Sequence, residues 1–145
     1  MLPITTVSVV STGGVRIRSE RMESTGSPLC ESIAPFTCAH DLFGDGTLVL
    51  VPTPGHTAGS LSLLLRQDGI PPMLFVGDLC YSTELLERGA VPGVGTRGQL
   101  RESSRAAAEL TRRLPGLMAM PAHDRHAAAR LRSTLGSRTR TRARA

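Results

Sequence analysis

The chain has 145 residues, room for one domain around a single core. Aromatic residues make up 3% of it, with no Trp and one Tyr, so Leu, Val, Ala and Met must fill that core and modest stability is expected. All 17 basic residues are Arg; five of them, at 132, 138, 140, 142 and 144, lie in the acid-free last fourteen residues, and the other 12 balance the 12 acids.

The basic excess therefore belongs to the C-terminal stretch. Residues 1–131 read as one domain and 132–145 as an Arg-rich, solvated, disordered tail. No aromatic stacking platform accompanies those arginines, which argues against nucleic acid as a partner. No apolar run approaches the roughly 18 to 20 residues of a membrane-spanning helix. Three cysteines, Cys30, Cys38 and Cys80, form no disulfide framework, and the first ten residues carry no secretory pattern. A soluble, cytoplasmic protein is expected.

Thr5 to Val10 and Val15 to Arg18 read as two strands around the Gly13-Gly14 turn. Ser19 to Ala39 has no sustained period and reads as a long loop. After Gly44-Asp45-Gly46 the pattern predicts a strand over Thr47 to Val51, stopped by Pro52 and Pro54. Ser60 to Leu65 is a second strand, and Met73 to Val76 a third, continuously apolar one. A short helix follows over Thr83 to Arg88. A longer one covers Gln99 to Leu114, with Leu100, Ala107 and Leu114 seven residues apart and Pro115-Gly116 as its stop. Leu117 to Met120 is a last strand, and Asp124 can cap a helix from Arg125 to Leu131.

Three segments place a possible metal donor where a strand ends: Thr53-Pro54-Gly55-His56-Thr57-Ala58-Gly59-Ser60, then Gly77-Asp78, then Pro121-Ala122-His123-Asp124. Strands fix the backbone while loops at one edge can converge, the setting a metal site needs. Gly55 permits a backbone conformation closed to other residues, and Thr57 and Ser60 can hold the His56 loop by hydrogen bonds. Any one of these residues alone is most simply a capping or solvated side chain; their order and neighbours together carry the signal.

That series resembles the later metal motifs of the metallo-β-lactamase superfamily, and within it the N-acyl homoserine lactonases. The resemblance implies an α+β fold amounting to half of an αββα sandwich, one mixed sheet with flanking helices. It implies up to two zinc ions, with His56 a ligand to one, Asp78 bridging both and His123 a ligand to the other. A zinc-bound hydroxide would then open a lactone or ester ring. Tyr81, three residues after Asp78, resembles the tyrosine by which these lactonases polarise the lactone carbonyl. Tyr81 reads equally well as an ordinary tyrosine with a satisfied hydroxyl.

The superfamily's H-x-H-x-D-H motif occurs nowhere in this sequence. Residues Ser8 to Ile17 resemble the opening strands of lactonase-like members, and similarity resumes near Ile33 to Phe36, as if the segment between were deleted. Three donors shared between two ions leave two for each, whereas a catalytic zinc takes three. His40-Asp41 and His126 are the nearest substitutes in the sequence. Two expectations follow: a metal-dependent hydrolase acting on a small lactone or ester, or a truncated, catalytically inactive relative. The second carries apolar strands without a partner layer, so that self-association through an exposed sheet is expected.

Overall fold

The computed structural model describes residues 31–142, so the two strands expected before position 19 lie outside the described residues. The elements are β1 (Glu31–Ile33), β2 (Phe36–Asp41), β3 (Leu48–Pro52), β4 (Leu61–Leu65), β5 (Met73–Gly77), α1 (Thr83–Glu87), α2 (Arg97–Arg113), β6 (Met118–Pro121) and α3 (Ala127–Arg142). Six strands form one sheet in sequence order. The first four pairings are antiparallel, and β5 with β6 is parallel because α1 and α2 carry the chain back to the end of the sheet at which β5 begins. The architecture is α+β, a mixed sheet with a few helices.

One expectation is corrected at the start of the sheet. Glu31 to Ala39, the later part of the stretch read as a loop, belongs to the β1–β2 hairpin, which runs on to Asp41. Only Phe36 and Ala39 of β2 are buried, so period-two alternation is absent; the strand exists because it pairs with β3 through His40 opposite Leu50 and Asp41 opposite Val49. Tertiary hydrogen bonding supplied what local pattern did not.

The sheet buries one face thoroughly. Val49, Val51, Leu64, Leu74, Val76 and Ala119 point into a core completed by Leu100, Ala107 and Leu110 of α2 and by Leu86 of α1. Helix α2 presents Leu100, Ser103, Ser104, Ala107 and Leu110, a three-and-four spacing that forms a single stripe. Arg112 and Arg113 in its last turn suit the negative end of the helix dipole, and the chain leaves at Leu114, before Pro115.

Helix α3 differs from expectation in length. It begins two residues later than Arg125 and runs on to Arg142, through most of the stretch read as a tail. Ala, Arg, Leu and Thr tolerate a helix, and no Pro interrupts residues 127–142.

Candidate functional site

Topology alone puts the three donor-bearing loops together. Strand β3 is antiparallel to β4 and β4 to β5, so β3 and β5 run the same way, and β6 runs parallel to β5. Their C-terminal ends therefore share one edge of the sheet. His56 follows β3, Asp78 follows β5 and His123 follows β6.

The side chains meet at that edge. Asp78 Oδ1 lies 2.9 Å from His123 Nε2, and Asp78 Oδ2 lies 3.8 Å from His56 Nε2. One carboxylate thus turns an oxygen toward each imidazole. Tyr81 stands edge-on to the His123 ring, with centroids 5.6 Å apart and planes at 82°. The edge is open: the His56, Asp78 and His123 side chains are 33%, 41% and 64% exposed, so water screens the attraction between them.

The His56 loop is held from two directions. Within it, the Thr57 amide donates to Ser60 Oγ at 3.0 Å and the two hydroxyls lie 2.9 Å apart. From outside, the start of α2 braces it: the Thr96 amide donates to Gly55 O at 2.7 Å, and Ser103 Oγ donates to Pro54 O at 2.7 Å. Gly55 has φ of 145°, and a β-carbon there would lie 2.7 Å from the Leu100 amide nitrogen. A β-carbon on Gly95 would come within 2.2 Å of Gly55 O. Both glycines are needed for the close approach of two backbones. The role of Gly95, Thr96 and Ser103 was not legible in the sequence, since nothing local connects them to a loop some forty residues earlier.

A second group lies beside His123. The Asp124 carboxylate, its side chain 1% exposed, accepts from Arg130 Nη2 at 2.9 Å, from the Thr83 amide and Thr83 Oγ1 at 3.3 Å each, and from the His126 amide at 2.8 Å. The Arg130 hydrogen bond first, and the backbone donors after it, hold its pKa down to about 2. Cys80, fully buried between Asp78 and Tyr81, has its thiol pushed up to about 12, mainly by burial and then by the Asp124 charge.

The substitutes considered for extra ligands lie elsewhere. Strand β2 runs antiparallel to β3, so His40 and Asp41 are near the opposite edge, where Asp41 accepts from the amides of Phe43 and Gly44 in the turn to β3. His126 is exposed, with Nε2 accepting from Arg125 Nε at 3.3 Å. Among the described residues no group of three or more His, Cys, Asp or Glu side chains is placed to hold a metal ion. His56, Asp78 and His123 offer one imidazole and one carboxylate oxygen on each side, two donors where a catalytic zinc usually has three. His56 Nδ1 is buried without a hydrogen-bond partner. This half-set does not by itself fit a catalytic ion.

Fold and sequence together relate this part of the chain to the lactonases of the metallo-β-lactamase superfamily. The solved N-acyl homoserine lactone hydrolase with N-hexanoyl-L-homoserine bound at its catalytic metal center superposes with a TM-score of 0.54 and 22% identity, over 63% of this chain and 36% of that one. A Bacillus thuringiensis AiiA mutant with N-decanoyl-L-homoserine bound at the active site gives 0.54 and 22%, with the same coverage. In sequence, the N-acyl homoserine lactonase AttM of Rhizobium radiobacter is 43% identical over 54 residues, 37% of this chain and 20% of the relative. The gamma-lactamase MBL2 of Gibberella moniliformis is 42% identical over 45 residues, 30% of this chain and 19% of the relative. The chain thus matches about a fifth of the length of these curated relatives. No family model matches it.

Proposed function

We propose that this chain carries part of a hydrolase site for lactones or related esters, with His56, Asp78 and His123 as metal donors and Tyr81 as hydrogen-bond donor to the carbonyl oxygen of the substrate. The observation that carries the reading is the single Asp78 carboxylate shared between two imidazoles, with the Tyr81 ring against one of them. A carboxylate between two nitrogen donors suits a two-ion site, where it would be shared by both ions. A phenol at the same edge could stabilise charge developing on a carbonyl oxygen as the ring opens.

Zinc dependence belongs to the same proposal but not to these three side chains alone. Two donors a side fall short, so a working site needs donors from beyond the described residues. A catalytically inactive relative is the second reading, favoured by that shortfall. Calorimetric titration with zinc, followed by a lactone-opening assay on N-acyl homoserine lactones, decides between them. Tight zinc binding with turnover, both lost in His123→Ala, supports the hydrolase; a folded chain that takes up no zinc and opens no lactone leaves the inactive reading.

Self-association is proposed from the sheet's other face. Leu50, Leu63, Phe75 and Met120 are paired in register across β3 to β6, and none belongs to the core cluster. Such a row favours contact with a second apolar sheet. A cytoplasmic setting is proposed from the odd cysteine count. Among the described residues no helix is long and apolar enough to cross a membrane.

A further inference from the structure

We infer that Asp124, Arg130 and Thr83 form a clamp that positions His123 against Asp78 and Tyr81. The significance of that position rests on the hydrolase reading above; the clamp itself does not. A helix cap would need only one of the Asp124 oxygens, and Oδ1 supplies it by accepting from the His126 amide at 2.8 Å. Oδ2 is committed elsewhere. It accepts from Arg130, one element further on, and from both the amide and the hydroxyl of Thr83, which is 41 residues earlier in the chain. Arg130 Nη2 closes the triangle by donating to Thr83 Oγ1 at 2.7 Å.

The two loops so joined are the ones that carry the reactive groups. Thr83 lies two residues after Tyr81, and Asp124 directly follows His123. His123 is the most exposed of the three candidate donors at 64%, so packing does not lock its ring. Its contacts with Asp78 and Tyr81 form only where the backbone beneath it delivers the ring to them. A buried carboxylate with four donors, one of them charged, is the strongest fixed point near that backbone. Two backbone bonds act beside it: the Ala122 amide to Gly77 O at 3.1 Å joins the Gly77 and His123 loops, and the Asp124 amide to Pro121 O at 3.4 Å closes the turn that holds His123, whose far end the carboxylate then ties to Thr83. Holding groups within fractions of an ångström is what a site gains from such support.

The test of the clamp is spectroscopic and needs neither metal nor lactone; only its separation from the hydrolase reading uses a lactone assay. Tyr81 is the only tyrosine in the chain, so its ring protons are assigned without ambiguity, and loss of their cross-peak to a histidine ring in His123→Gln identifies the partner among the four histidines of the full-length protein. Loss of that cross-peak is expected in Asp124→Asn, weakening in Thr83→Val, and retention in Thr83→Ser, which keeps the hydroxyl. Leu110→Ala, in the core away from the clamp, should lower the melting temperature and keep the cross-peak. An undiminished cross-peak in folded Asp124→Asn overturns the clamp, as does equal loss in Leu110→Ala. If Asp124→Asn does not fold, the contrast between Thr83→Val and Thr83→Ser decides, and no difference between them overturns it. A wild-type chain that shows the cross-peak but opens no lactone sinks the hydrolase reading and leaves the clamp standing.

Discussion

The two faces of the sheet are built from the same residue types and have different fates. On one, Val49, Val51, Leu64, Leu74 and Val76 are sealed beneath α2. On the other, Leu50, Leu63 and Met120 are half-buried and Phe75 is 38% exposed. Alternation along β3 and β4 assigns each side chain to a face, but being apolar does not decide which face is covered. The covered face is the one onto which the β5-to-β6 connection folds its helices. Hydrophobicity supplies the drive to be buried, and connectivity decides where that drive is satisfied.

The contrast breaks most sharply in the core. Leu64→Ala or Leu100→Ala should cost about 2 to 5 kcal/mol, read as a drop in the denaturant midpoint, because both are fully buried and leave a cavity. A cost within about 1 kcal/mol would mean that the sealed face is not sealed. Next comes the seam between the covering helix and the His56 loop. Gly95→Ala should cost about 1 to 3 kcal/mol, since φ is 105° and the new methyl would overlap Gly55 O. Amide exchange at Thr57 and Ser60 should rise with it, and unchanged exchange would separate α2 from the loop.

The open face should answer with association more than with stability. Leu63→Thr combined with Phe75→Thr is expected to change monomer stability by about 1 kcal/mol or less, while lowering the sedimentation coefficient at high protein concentration. A large loss of stability with no change in association would show that something covers this face. The smallest effect is chemical. Cys80 belongs to the sealed core and its thiol is pushed up to about 12, so it stays protonated and buried through neutral and mildly alkaline pH, and ionises only as pH rises toward that value. Exposed Cys38 should be alkylated first under native conditions, and Cys80 only on unfolding. Rapid labelling of Cys80 in folded protein would place the Asp78 loop outside the core.

Much of the site was legible because its signal is local. His56, Asp78 and His123 each follow a short apolar run and a Gly or Pro, and the expected strands over 47–51, 60–65, 73–76 and 117–120 match the observed ones within two residues at each end. Convergence at one edge could be expected once those runs were strands. Strand β2 escaped notice because its two buried residues, Phe36 and Ala39, are spaced by three. The length of α3 escaped because an acid-free, Arg-rich stretch reads as solvated whether or not it is helical.

Local order and the identity of the three candidate donors were determined by the sequence, since each depends on residue type and near neighbours. Partnerships across forty or more residues were decided only in three dimensions: Gly95 against Gly55, Ser103 on Pro54, and Asp124 on Thr83. The physical reason is that a hydrogen bond or a close approach depends on distance in space. A chain states that distance only after the sheet has fixed which ends lie together.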